Sequence, residues 1–129
     1  MKTRIYFLAF ASFFLTICNH LNAQNSGLSV SLTKTNGNIY SINDVGKHLI
    51  SFEIFGIEDQ KQADNLLKYI RGYRGVEEFN LQRIAGENKW KAEGVFYGFA
   101  DIAYFKGLFK IMKVTEVFQD NIKTSIDNL

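Results

Sequence analysis

The sequence predicts an α+β domain in the order β-α-β-β-α-β, an antiparallel sheet with two helices on one face, preceded by a β-hairpin. Three observations predict it. Ile50, Phe52 and Ile54 alternate with Ser51 and Glu53, and an apolar stripe at helical spacing follows directly. Two further alternating runs, around Phe79-Leu81 and Trp90-Ala92, flank Gly86-Glu87-Asn88 as a hairpin would. Finally, a second helical stripe from Ile102 to Met112 runs into a short β-prone segment, Val114 to Phe118.

Lys2 and Arg4 precede a largely apolar run from Ile5 to Ile17, and a short polar stretch ends in Leu21-Asn22-Ala23, the pattern of a secretory signal. The run is shorter than the roughly 20 apolar residues a spanning helix needs. The expectation is therefore cleavage after Ala23, a signal peptide over residues 1–23 and export to the periplasm or beyond the cell. Cys18 raises lipidation as an alternative, disfavoured because Ile17 stands where that processing requires a small side chain. Cleavage removes Cys18, His20, Met1 and two basic residues. The remaining 106 residues carry thirteen basic and thirteen acidic side chains and no cysteine. A neutral chain without a basic run has no electrostatic footprint for nucleic acid.

Residues 24–47 are expected to form the hairpin extension. Ser29 to Ile42 alternates on both sides of Asn36-Gly37, the strongest short-range hairpin signal. A three-residue loop, Asn36-Gly37-Asn38, would set Leu32 opposite Ile42 and Lys34 opposite Tyr40, a more apolar face than a two-residue turn gives. The main domain is expected over residues 48–118. After its first strand, Ala63, Leu66, Leu67 and Ile70 fall at i, i+3, i+4 and i+7 of one helical face, and Gly72 and Gly75 end the helix. The second helix begins near Asp101, with Ile102, Phe105, Phe109 and Met112 on one side. Residues 119–129 read as a polar tail.

This order is the split βαβ, or ferredoxin-like, arrangement. Within it, Gly56 to Val76 resembles the start of a heavy-metal-associated domain, the small module of copper chaperones and metal-transporting ATPases. In that family a strand ends in Gly-Met-x-Cys-x-x-Cys, a helix follows and a Gly-Val pair opens the next strand. Gly56-Ile57 stands at the Gly-Met and Gly75-Val76 at the Gly-Val. The resemblance spans Ile50 to Phe118 and implies the ferredoxin-like fold and an ancestry in metal carriage. Asp59 and Gln62, however, occupy the two cysteine positions. Soft ions such as Cu(I) select thiolate or thioether ligands, which a carboxylate and an amide do not provide, so no metal and no cofactor is expected. His48 and Met112 lie outside that loop, and Glu58, Asp59 and Asp64 do not make a calcium loop. Asp59 instead reads as an N-cap, with Gln62 placed to reach back to the cap's own N–H in a capping box.

Catalysis has little to build on, because an activated nucleophile needs an adjacent base and the exported chain keeps one histidine and no cysteine. Glu77 and Glu78 are neighbours on a strand and point to opposite faces. Gly72-Tyr73-Arg74-Gly75 follows a helix, whereas phosphate loops precede one. The segment with the strongest functional signature is Gly94 to Val114, whose apolar arc is wider than a half-buried helix requires. Tyr104, Leu108 and Ile111 form a strip beside a basic edge of Lys106, Lys110 and Lys113. Gly107 stands mid-helix, where a closely packed neighbour would explain it. The expectation is a protein partner, a second copy or a membrane surface docking on Tyr104, Leu108, Ile111, Lys106 and Lys110, with cover by the hairpin or tail as the competing account. The sequence thus points to an exported, non-catalytic binding or assembly module, the alternative being a metal-handling protein with non-cysteine ligands.

Overall fold

The computed structural model describes residues 27–129; the expected signal segment lies outside them. Seven strands, β1 (Leu28–Leu32), β2 (Tyr40–Ile42), β3 (His48–Phe55), β4 (Val76–Arg83), β5 (Lys89–Phe96), β6 (Val114–Gln119) and β7 (Ile122–Thr124), form one sheet. Helices α1 (Gln60–Arg71) and α2 (Ile102–Ile111) and a terminal 3-10 turn (Ile126–Asn128) complete the described chain. Strand alternation decides the layering. Val30, Leu32, Ile50, Phe52, Ile54, Ala92, Phe96 and Val117 are buried in one contiguous cluster with Ala63 and Ile70 of α1 and Phe105, Leu108 and Phe109 of α2. The intervening Ser51, Lys91 and Glu93 are exposed on the opposite face. Phe52 meets Phe109 edge-on, with centroids 5.3 Å apart, at the centre of this two-layer core.

The succession β3-α1-β4-β5-α2-β6 follows the expected order along the chain, but the sheet differs from the expected antiparallel one. Its strand order is β4-β5-β3-β1-β6-β7, with β1 lying between β3 and β6. β1 runs antiparallel to β3 and parallel to β6, so the sheet is mixed. Leu28, Val30 and Leu32 explain this position, because all three are buried and a strand with a complete apolar face gains most from a central place.

The expected N-terminal hairpin is also replaced. Leu32 pairs with Phe52 and Ile42 with His48, so β1 and β2 lie in tandem along one edge of β3 rather than against each other. The Asn-Gly turn is retained at the tip of a small finger between them. Thr35 bridges Asn38 across a two-residue turn in which Asn36 (φ 53°) and Gly37 (φ 82°) are both left-handed. An eight-residue β3 offers more ladder groups than one short strand can satisfy, and two strands in succession satisfy them. Residues 119–129 are structured as well. Asp120 (φ 50°) and Asn121 (φ 65°) make the two-residue turn into β7, and the 3-10 turn packs back toward α2.

Candidate functional site

At the end of the sheet where β3 begins and β5 finishes, three loops converge. The first, between β2 and β3, is organised by Asn43, whose Oδ1 accepts from Val45 N–H (3.1 Å) and Lys47 N–H (2.8 Å). The second, Tyr97 to Ala100, lies against it so closely that a Cβ on Gly98 would sit 2.7 Å from Gly46 O. The third, between α1 and β4, contributes Gly75 (φ +97°), where a Cβ would fall 2.9 Å from the Phe99 ring. Tyr97 N–H donates to Gly75 O at 3.0 Å, tying the second loop to the third. His48, buried at the start of β3, donates from Nδ1 to Ala100 O at 2.6 Å and stacks on Tyr40 with centroids 4.4 Å apart.

This scaffold displays apolar side chains to solvent. Tyr97 and Phe99 are about half exposed, with ring planes 16° apart and centroids separated by 6.5 Å. Ile42, at the end of β2, and Val45, in the loop that follows it, are 64% and 75% exposed at the same end of the sheet. Ionic groups form the rim: Lys47 pairs with Glu77 while its Nζ lies 5.1 Å from the Tyr97 ring centre, and the Arg74 guanidinium lies 5.6 Å from that of Phe99. Below the surface, Tyr104 meets Phe99 edge-on at 6.0 Å and donates its hydroxyl to Arg74 O at 2.7 Å. Burial, with a smaller contribution from Tyr73, pushes the Tyr104 phenol up to about 12. The arrangement is a pre-formed apolar surface with a polar rim carrying both signs of charge.

The residues expected on the second helix do not form one exposed strip. Tyr104 supports the aromatic loop, and Leu108 is fully buried. Lys106 donates to Asp127 O (2.8 Å) and Lys110 to Asp127 Oδ1 (2.7 Å). Lys110 thereby holds the Asp127 carboxyl below its ordinary range. Ile126 and Leu129 pack on the core, so the chain's own C-terminus covers this side of α2. Ile111 instead lines a groove of about 740 Å³ with Leu66, Tyr69 and Met112. A Cβ on Gly107 would meet nothing within 4 Å, so close packing does not explain that glycine.

The junction before α1 is local structure. Asp59 Oδ1 accepts from Gln62 N–H at 2.8 Å, and Gln62 Oε1 accepts from Glu58 N–H, one residue before the cap whose own N–H was the expected donor. No group of three His, Cys, Asp or Glu side chains placed to hold a metal occurs among the described residues. The open face of the sheet and the finger enclose a shallow trough of about 850 Å³. Within it Lys89 pairs with Glu53 and Lys91 with Glu93, and Glu78 completes its charged lining. Lys89 is held above the ordinary lysine range by its bonds to Glu53 and Glu87.

Sequence reasoning missed Ile42, Val45, Tyr97 and Phe99. The available signal was Tyr97-Gly98-Phe99, two aromatics around a glycine between the end of a strand and the Asp101 cap, where loop aromatics have no core to enter. Fold and site together define a two-layer α+β domain with a mixed, curled sheet, two helices and an exposed aromatic end. No family model, no curated protein and no solved structure matches the chain.

Proposed function

We propose that this chain is an exported, non-catalytic binding module that engages a protein partner through the aromatic end. The observation that carries the reading is the grouping of exposed apolar side chains. Of six large hydrophobic residues exposed among the described residues, Ile42, Val45, Tyr97 and Phe99 lie at this one end. Single exposed apolar residues are ordinary, whereas a contiguous patch rimmed by polar groups marks an interaction site. Aromatic residues and Arg around an apolar centre have the composition of a protein interface, and Arg74 and Lys47 supply cations at its edge. The balancing carboxylates Asp44 and Glu77 favour a protein surface over an anionic membrane, which selects net positive charge.

The frame supports the same reading. We read the succession β3-α1-β4-β5-α2-β6 as a ferredoxin-like core widened by the insertion of β1, in which Gly56 and Gly75 stand at the spacing of the heavy-metal-associated family. The positions that carry cysteine in that family serve here to start α1, consistent with a carrier frame reused for binding. The test is capture from the cell envelope with the tagged protein, in parallel with Phe99→Asp and with Tyr69→Asp, an exposed aromatic on the helix side. A partner retained by Tyr69→Asp and lost by Phe99→Asp is the expected result. A set of captured proteins unchanged by Phe99→Asp would overturn the reading.

A further inference from the structure

Among the described residues, β4 is the outermost strand at one side of the sheet, and its eight residues pair only with β5. The direction of its ladder groups follows from the turn that ends it. Ile84 N–H donates to Lys89 O at 3.1 Å, so this is a hydrogen-bonded pair. Stepping back along the register, Arg83, Leu81 and Phe79 stand opposite Trp90, Ala92 and Gly94 at the alternate positions, whose N–H and C=O point away from β5. One outward carbonyl is occupied: Arg71, the last residue of α1, donates from Nε to Phe79 O at 2.9 Å and from Nη2 to Asn80 Oδ1 at 2.9 Å. An unpaired edge of this length is a template for another strand. The guanidinium fork lies across its middle.

We propose that the β4 edge is a strand-addition surface, that its occupant is the same edge of a second copy, and that Arg71 is the latch controlling access to it. Two-fold antiparallel pairing must match outward residues with outward residues. Setting Leu81 opposite Phe79 of the second copy places Arg83 opposite its Glu77, Gln82 opposite its Glu78 and Asn80 opposite Asn80. Each Arg83 then faces Glu77 at the register shift of the second copy, a carboxylate it shares with that copy's Lys47; no like charges stand directly opposite, and Leu81 extends the apolar stripe of the helix-covered face across the junction. In this register Phe79 O accepts from Leu81 N–H of the second copy, the bond for which Arg71 competes. Only one edge of each chain takes part, so the assembly closes as a dimer. The inference does not rest on recognition at the aromatic end, with which it shares only Glu77.

Sedimentation equilibrium on the purified protein, Arg71→Ala, and Arg71→Ala combined with Leu81→Pro tests it. Proline at Leu81 removes an outward N–H and no bond to β5, a substitution edge strands accept. Arg71→Ala is expected to dimerise at least tenfold more tightly than the native chain, and the double variant to be monomeric. Arg71→Gln, which keeps a polar side chain but not the fork, provides the same comparison if Arg71→Ala does not fold. In the latch variant that folds, exchange of the Leu81 and Arg83 amides is expected to slow as concentration rises. A latch variant that stays monomeric over the same range, a dimer that survives Leu81→Pro, or species larger than a dimer would overturn the proposal.

Discussion

The two ends of α2 make opposite use of similar side chains. Toward its C-terminus, Lys106 and Lys110 lie against the 3-10 turn, with Asp127 holding both lysines, and Leu108 is buried in the core. Toward its N-terminus, Tyr104 supports Phe99, and Phe99 and Tyr97 remain about half exposed, with only Arg74 and Lys47 reaching over their rings among the described residues. Apolar patterning predicted stickiness along the whole segment; what separates the ends is which other segment reaches each one. The C-terminal turn returns to one end, and the glycine contacts at Gly46, Gly75 and Gly98 hold the other open.

The sharpest way to break the comparison is to place a carboxylate at each end. Leu108→Asp buries an unpaired charge and should cost about 4 kcal/mol or more, whereas Phe99→Asp on the open surface should cost about 1 kcal/mol or less. Chemical denaturation of the two variants checks this; equal losses would mean that the two sites are equally buried. Gly98→Val is next. A side chain driven against Gly46 O should destabilise by about 1–3 kcal/mol, as overpacking does. The same variant should weaken partner capture beyond its effect on folding, read as loss of binding at temperatures where it remains folded.

Tyr104 links the two ends and gives a smaller effect with a distinct signature. Tyr104→Phe removes the bond to Arg74 O and should cost about 1 kcal/mol near neutral pH. Because the folded phenol is raised from 10.0 to about 12, the fold favours its neutral form. That stabilisation is fully present below pH 10 and is lost as pH rises from 10 to 12. Urea titrations across this window should show a shallower alkaline decline for Tyr104→Phe than for the native chain; parallel declines would place the phenol in ordinary solvent. The smallest expected change is a gain. Gly107→Ala adds a methyl where nothing lies within 4 Å and should stabilise by up to about 1 kcal/mol through helix propensity. A loss in thermal unfolding would reveal a close neighbour at that position.

Much of the fold was legible because it is local. The alternation Ile50-Phe52-Ile54, the i, i+4 spacing in α1, the cap Asp59 and the helix start near Asp101 each concern residues a few positions apart. The place of β1 was not legible, since Leu28-Ser29-Val30-Ser31-Leu32 alternates identically whether it pairs in a hairpin or lies between β3 and β6. Pairing with β6 spans more than eighty residues and leaves no mark on the local pattern. The site divides in the same way. Tyr104 was identified for its apolar character, but its contact with Phe99 depends on a loop path through Gly75 and Gly98, and the engagement of Lys106 and Lys110 depends on a turn that follows β7. Gln119, whose Nε2 is buried without a hydrogen-bond partner, has no physical explanation among the described contacts.

Site-specific photo-crosslinking tests the central claim most directly. A benzophenone side chain would be placed at Phe99, Val45, Ile111 or Ile122, one position at a time, in protein produced in its native cells. Discrete adducts of the same mass at Phe99 and Val45, with none at Ile111 or Ile122, are the result expected if the aromatic end is the recognition surface. Adducts at Ile111 with none at Phe99 would contradict the account and return recognition to the helix side.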